Sequence, residues 1–351
     1  MARTRSLRTS CANRRHEGAV RAGRPNPVEL TAVSLVVDCH LHVIGGLDWF
    51  PPDRGAIKHW HREVRWRGEK TTPEYFQRVA ADVVDPDGAK MLARMNEAGV
   101  DIGCTMPMDH GYRVGDNEMV SVEEMNRRSC ELASKSGGRI VSFCGVDPRR
   151  ANAVPLLRTA IEEWGAKGLK LYPTNGFYPD DRELCYPLYD LVTEYEMPVL
   201  FHQGHSGRGQ KSKFGHPMYV DTVAADYPDL PIVLGHSGRW EAWAREAFAV
   251  AIYKTNVHLD VSLWQHWASP DEICKQVLWL RDRVGIDRVL FASDHAGIEV
   301  SWTLKEWVDQ IRLFPELAKQ HGGSLDDDEL ALLLGGNAVR VYKLEPPTTT
   351  R

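Results

Sequence analysis

Eight short apolar runs, each followed by a longer stretch of helical period, constrain the fold of this chain more than any other feature. The runs are Ser34–Cys39, Val100–Met106, Ile140–Val146, Gly168–Tyr172, Pro198–Phe201, Pro231–Gly235, Asn256–Val261 and Arg288–Ser293. Most are apolar throughout and do not alternate, which is the pattern of parallel strands buried on both faces. The intervening periodicity predicts helices over Asp87–Ala98, Asn117–Ser136, Asn152–Trp164, Arg182–Tyr195, His216–Asp226, Trp240–Ile252 and Pro270–Arg283. Eight strand–helix units are the count of a closed (β/α)8 TIM barrel, an α/β fold that can absorb 351 residues as one domain.

Two features exceed a minimal barrel. A long loop after strand 1, from His42 to about Pro73, carries Trp49, Phe50, Trp60 and Trp66. Loops of that length are usually functional. After strand 8, extra C-terminal helices are expected through Trp302–Phe314 and Asp326–Leu334, the second opened by Asp326-Asp327-Asp328, whose charge suits a helix amino terminus.

The ends differ in composition. Residues 1–33 hold Arg3, Arg5, Arg8, Arg14, Arg15, Arg21 and Arg24 against Glu17 and Glu29, with no apolar core. A transit peptide and a disordered extension both fit that composition. We expect the extension, because composition alone is weak evidence of targeting. The barrel is then residues 34–344, and 345–351 a loose tail.

Charge and cysteine usage narrow the partners. Lys and Arg total 43 against 48 Asp and Glu, a net charge of −5, so no basic excess exists to meet nucleic-acid phosphates. The seven cysteines are scattered without a C-x-x-C pair, as in reduced cytoplasmic proteins. No apolar run reaches the roughly 18 residues of a membrane span. The eleven tryptophans leave room for a homodimer interface or a lid.

The residues at the strand ends carry the chemistry. Catalytic groups of a barrel come from the carboxyl ends of its strands. Strand 1 ends in Asp38-Cys39-His40-Leu41-His42, strand 4 contains Lys170, strands 5 and 6 end in His202 and His236, and strand 8 ends in Asp294. His40 and His42 stand two apart, so period two points both rings to one face. Three imidazoles and a carboxylate suit a catalytic divalent ion, with zinc favoured and manganese an alternative.

The segments VVDCHLHV, GLKLYP, PVLFHQGH, PIVLGHSG, VHLDVS, VLFASDH and GGNAVRVYKL, spread over Val36 to Leu344, resemble the amidohydrolase superfamily in its amidohydrolase-related branch of hydrolases, lactonases and aromatic-acid decarboxylases. The resemblance implies His40, His42, His202 and Asp294 as the metal shell and His236 as an acid/base or electrostatic group beside it. Lys170 occupies the position of a lysine that binuclear members carbamylate to bridge a second metal; an unmodified lysine that orients a neighbour or meets a substrate carboxylate is the favoured expectation. A bound cation lowers the pKa of its water from about 16 toward about 7. Asp294 would take that proton and pass it to the leaving group.

Rim residues supply candidate substrate contacts. Arg239 is the preferred carboxylate anchor, because guanidinium binds that group bidentately. Tyr172, with Phe177 and Tyr178, could form an aromatic wall, and His205 and Trp264 also fall on rim loops. Arg208, His266, Trp267 and His295 share that position, whereas His59-Trp60-His61 reads as a solvated lid segment. The expected activity is metal-dependent hydrolysis of a small carbonyl, amide or lactone. The alternative is non-oxidative decarboxylation of an aromatic or unsaturated acid at the same metal.

Overall fold

In the computed structural model of the chain, residues 35–49, 65–66, 69–70, 81–114, 119–206, 209–240, 242–297 and 302–349 are described. The expectations for residues 1–33, for His59-Trp60-His61 and for Arg208 lie outside them.

Parallel strands form where the apolar runs were read. They are β1 (Val37–Leu41), β2 (Ile102–Thr105), β3 (Ile140–Ser142, resuming as Cys144–Gly145), β4 (Leu169–Leu171), β5 (Val199–His202), β6 (Ile232–Gly235), β7 (Val257–Asp260) and β8 (Val289–Leu290). Neighbours in this order pair in parallel, and the chain adopts the (β/α)8 barrel fold.

The helices that follow the strands in turn are α1 (Ala89–Ala98), α2 (Val122–Lys135), α3 (Ala153–Glu162), α4 (Tyr186–Glu194), α5 (Met218–Asp226), α6 (Ala242–Tyr253), α7 (Pro270–Arg283) and α8 (Leu304–Arg312). Side chains fix several starts. Ser121 accepts from the Glu124 N–H, and Ser269 with Glu272 and Thr303 with Glu306 form capping boxes. The two expected carboxyl-terminal helices are present as α8 and, after a further α9 (Phe314–Gln320), as α10 (Asp327–Ala331), which Asp326 caps; α11 (Asn337–Tyr342) follows.

The expectation of one continuous closed ladder needs correction. The strands fall into a three-stranded and a six-stranded sheet, which share the β3 segment on either side of Phe143. Between β8 and β1 individual bonds cross: Cys39 N–H to Phe291 O at 3.1 Å and Asp294 N–H to His40 O at 2.9 Å. The ladder lapses there because the Phe291 N–H is drawn to Leu333 O, ahead of α11. Asp38 reinforces this seam. Its carboxylate accepts the backbone N–H groups of His40 and Ser293 and the Ser293 hydroxyl.

Alternation decides what faces inward. Val199 and Phe201 pack with the helices while Leu200 joins an inner apolar cluster, and β6 and β8 repeat that division. His202 and Asp294 therefore lie on the inner side of their strands. β1 departs from the rule, with a register shift between Asp38 and Leu41. Cys39 packs in the inner cluster, yet its neighbour His40 reaches β7, an arrangement that a regular strand does not allow.

The inner cluster is closed from below by Ala338, Val341, Tyr342 and Leu344. Asn337 Nδ2 donates to Ile286 O and Val289 O, and Tyr342 OH donates to Cys39 O. In the expected tail, the Thr348 N–H donates to Gly137 O at 2.9 Å. Among the described residues no helix is long and apolar enough to cross a membrane.

Gly335 sets the approach of α11. A Cβ there would lie 1.9 Å from Leu35 O, whereas at Gly336 the nearest atom is a Leu332 methyl at 3.3 Å. Gly335→Ala is expected to lower stability by about 1–3 kcal/mol and Gly336→Ala by clearly less, read from urea midpoints.

Candidate metal centre and its surroundings

Two acceptor-rich side chains meet where β1 and β8 end. His42 Nδ1 lies 2.7 Å from Met106 O, a carbonyl that can only accept, so Nδ1 carries a proton. In the neutral ring the lone pair is then on Nε2, which faces Asp294 Oδ1 at 3.1 Å. Two lone pairs aimed at each other require a proton or a cation between them. His40 Nε2 joins them, 3.6 Å from the same Asp294 oxygen. One donor atom from each of His40, His42 and Asp294 lies within 4.8 Å of the others, a His–His–Asp group with the spacing to hold a metal ion. The donor set fits a divalent ion.

His40 is held from both sides. Its Nδ1 is 2.8 Å from Asp260 Oδ2, and its Nε2 is 3.0 Å from Lys170 Nζ. An ammonium only donates, so Nε2 keeps its lone pair and Nδ1 its proton. Burial, and then the Lys170 charge, lower the His40 pKa to about 4, so the ring is neutral at pH 7. Lys170 is fully enclosed, and burial lowers it to about 8 against the pull of Asp294 and Asp260. Burial pushes the Asp294 carboxyl up, but the His42 hydrogen bond and the nearby His42, His40 and Arg239 outweigh it, holding the group well below the usual carboxylate range.

His202 and His236 form an adjoining pair outside the three-donor group. His236 Nε2 is 3.1 Å from His202 Nδ1, and His202 Nε2 is 3.0 Å from Ser206 Oγ. Desolvation, then neighbouring positive groups, keep both imidazoles far below their ordinary pKa. His202 also stacks on Tyr172, with ring centroids 3.9 Å apart.

Arg239 enters the same space by way of an unusual turn. His236, Ser237, Gly238, Arg239 and Trp240 all have positive φ, between 45° and 77°. Such runs cost energy and concentrate at functional sites. Gly204 makes room, since a Cβ there would lie 2.8 Å from Arg239 Cγ. Arg239 lines a cavity of about 130 Å³ with His42, Ile44, Val83, Met108, Tyr172, His202, Asp294 and Gly297. Its Nε is buried without a hydrogen-bond partner among the described residues.

The other rim candidates sit elsewhere. Trp264 is fully buried against Trp240 and Phe248 and donates its indole N–H to His236 O. His205 is exposed and stacks on Trp243. Phe177 is buried, Tyr178 and Trp267 are exposed, and His295 is bonded to Trp302 O. Sequence reasoning missed Asp260, Ser262 and Asp38. The available signal for Asp260 was its place at the end of β7 in VHLDVS, equivalent to that of the groups chosen on other strands.

The protein-family model described as Amidohydrolase matches residues 37–344, and the chain belongs to that family. No curated protein sequence matches it. Among solved structures, 5-carboxyvanillate decarboxylase from Sphingomonas paucimobilis is similar at 17% identity and a TM-score of 0.61, over 89% of this chain and 100% of that one. The 5-carboxyvanillate decarboxylase of Novosphingobium aromaticivorans, complexed with manganese and 4-hydroxy-3-methoxy-5-nitrobenzoic acid, has 14% identity and a TM-score of 0.64, over 88% and 96%. A probable 2-pyrone-4,6-dicarboxylic acid hydrolase from Acinetobacter baumannii with citric acid bound has 13% identity and a TM-score of 0.56, over 88% and 99%. At these identities the likeness is one of fold.

Buried neutral histidines have a consequence for acid stability. His40, His110 and His258 each drop from 6.5 to about 4, burial being the main cause. The unfolded chain therefore takes up protons first as pH falls, and the stability gained from keeping these rings neutral, full above about 6.5, is lost toward about 4. The unfolding free energy of metal-free protein is expected to fall between pH 7 and 4. His258→Gln, away from the metal group, should make that slope shallower in urea titrations.

Proposed function

We propose that this amidohydrolase uses one divalent ion, held by His40, His42, His202 and Asp294, to hydrolyse a small, planar, carboxylated carbonyl or lactone substrate. The observation that carries the substrate class is Arg239, a guanidinium with an unpartnered buried Nε on the cavity lined by Asp294 and His42. A guanidinium in that position is complemented by a substrate carboxylate. The Tyr172 ring gives the same cavity a flat wall, which suits an aromatic or unsaturated ring. His202 would complete the set through Nε2, which faces only Ser206, a neutral hydroxyl.

When bound, the ion supplies Lewis acidity and nucleophilic water at neutral pH. Asp294, beside the ion, would accept a proton from the attacking water and return it to the leaving group. His236, beside His202, steadies negative charge developing on the carbonyl oxygen. Lys170 is unmodified and, without the ion, caps the His40 Nε2 lone pair that the ion would take; a carbamate on it, with a second ion, is the lesser reading. The His–His–carboxylate set suits zinc and manganese alike, and the manganese in the Novosphingobium decarboxylase supports the latter. The six described cysteines are buried and unbridged, which supports a reducing compartment such as the cytoplasm.

Decarboxylation is the second reading. It draws on the aromatic wall, the arginine and the decarboxylases among the structural neighbours. Product analysis separates the two. Purified protein loaded with Mn2+ or Zn2+ is expected to add water to carboxylated lactones or esters, whereas CO2 release from carboxylated phenols reverses the order.

Either chemistry predicts the same two variant effects. Asp294→Asn should lower kcat by roughly 10²–10⁴-fold, the range of a lost acid–base group. Arg239→Lys should act mainly on KM, raising it by roughly tenfold or more, because lysine cannot form the bidentate pair. Steady-state kinetics on the active substrate checks both.

A further inference from the structure

Asp260 gathers four donors on one buried carboxylate. Its Oδ2 faces His40 Nδ1 at 2.8 Å. Its Oδ1 accepts the His236 N–H at 2.7 Å, the Ser262 N–H at 3.1 Å and the Ser262 hydroxyl at 2.5 Å. The hydroxyl has one proton, and it is committed to Asp260. Toward His236 Nδ1, 2.7 Å away, Ser262 Oγ can therefore only accept.

From that point the direction of each bond is determined. His236 Nδ1 must carry its proton, which leaves the lone pair of the neutral ring on Nε2. His236 Nε2 then accepts from His202 Nδ1 at 3.1 Å, which leaves the His202 lone pair on Nε2. Ser206 Oγ stands 3.0 Å from that nitrogen and also shares a hydrogen bond with Thr174 Oγ1, where either hydroxyl can donate. A hydrogen bond between two ring nitrogens needs one donor and one acceptor, so the His236–His202 contact holds a single proton, and the Lys170 ammonium on His40 Nε2 leaves that ring its proton on Nδ1.

We propose that Asp260 and Ser262 are positioning residues that set, through one directional relay, which ring nitrogen of His40, His236 and His202 carries the proton. The relay turns the Nε2 lone pairs of His40 and His202 toward ligand duty and leaves His236 Nε2 as an acceptor. Asp260 acts on His40 directly; Ser262 acts only on the other two rings. The inference rests on the proposed metal site for its purpose and for the affinity arm of its test, but not for the NMR arm that decides it.

The experiment is long-range 1H–15N correlation NMR of histidine-labelled, full-length, metal-free protein at neutral pH, with Mn2+ affinity measured in parallel. Wild type is expected to show His40, His236 and His202 protonated on Nδ1. In Ser262→Ala, His236 and His202 should lose the pure Nδ1–H signature while His40 retains it, with Mn2+ affinity reduced less than in Asp260→Asn. Ser262→Thr, which keeps the hydroxyl, should restore the wild-type spectrum. Asp260→Asn should lower Mn2+ affinity by roughly 10–100-fold, the usual loss for a partner behind a ligand histidine.

An unchanged His236 and His202 spectrum in Ser262→Ala, or a wild-type His236 protonated on Nε2, overturns the relay. The serine pair decides the matter even where Asp260→Asn does not fold. Neither readout involves turnover, so absence of activity on carboxylated substrates would defeat the functional reading while leaving the relay standing.

Discussion

A parallel strand sheathed on both faces by apolar side chains admits charge only at its ends. That constraint gathers the polar chemistry of this protein into one layer. Lys170, His202, His236, Asp260 and Asp294 come from successive strands, and the first four are buried while Asp294 is partly open to the cavity. Water cannot solvate them there, so they must satisfy one another. Buried polar networks are costly unless complete. The Lys170–His40–Asp260–Ser262–His236–His202 series is continuous, and every link lies between 2.5 and 3.1 Å. The same enclosure suppresses protonation of its histidines, leaving lone pairs available at neutral pH.

The strand runs and most of the helix positions were legible because period and apolarity are local properties. So was the convergence of His40, His42 and Asp294, which needs only the rule that strand ends share a rim. Asp260 was harder to single out. His258 and Asp260 lie on the same strand with the same parity, and only the tertiary arrangement puts His258 near Ile232 O and Asp260 against His40. The parity argument for His40 and His42 reached the right place through a simpler strand than the real one, because β1 has a register shift between Asp38 and Leu41. Trp264 illustrates the opposite difficulty. A rim position in sequence says nothing of direction, and this indole turned inward to pack.

Arg239 shows how backbone geometry can select a functional side chain. An arginine in a helix or strand at this point would project along the regular period. Five consecutive positive φ values redirect it onto the cavity wall, and the absence of a side chain at Gly204 accommodates its stem. The Gly-Ser-Gly character of the GHSGRW segment makes such a turn affordable only in part, since His236, Arg239 and Trp240 also adopt it. The conformation is held by tertiary contacts, including the indole of Trp264 on His236 O and the Ser237 hydroxyl on Asp260 O.

The last helix has a bearing on how the polypeptide reaches this state. Tyr342 bonds to Cys39 across 303 positions of sequence, and Asn337 ties the same helix to the strand at Val289. Contacts of such separation are entropically expensive to form early. A nascent chain must extend past residue 342 before its first strand finds this cover, so the apolar base of the cylinder stays open during most of synthesis. That interval is one in which unfinished chains are prone to associate and in which chaperones find their substrate.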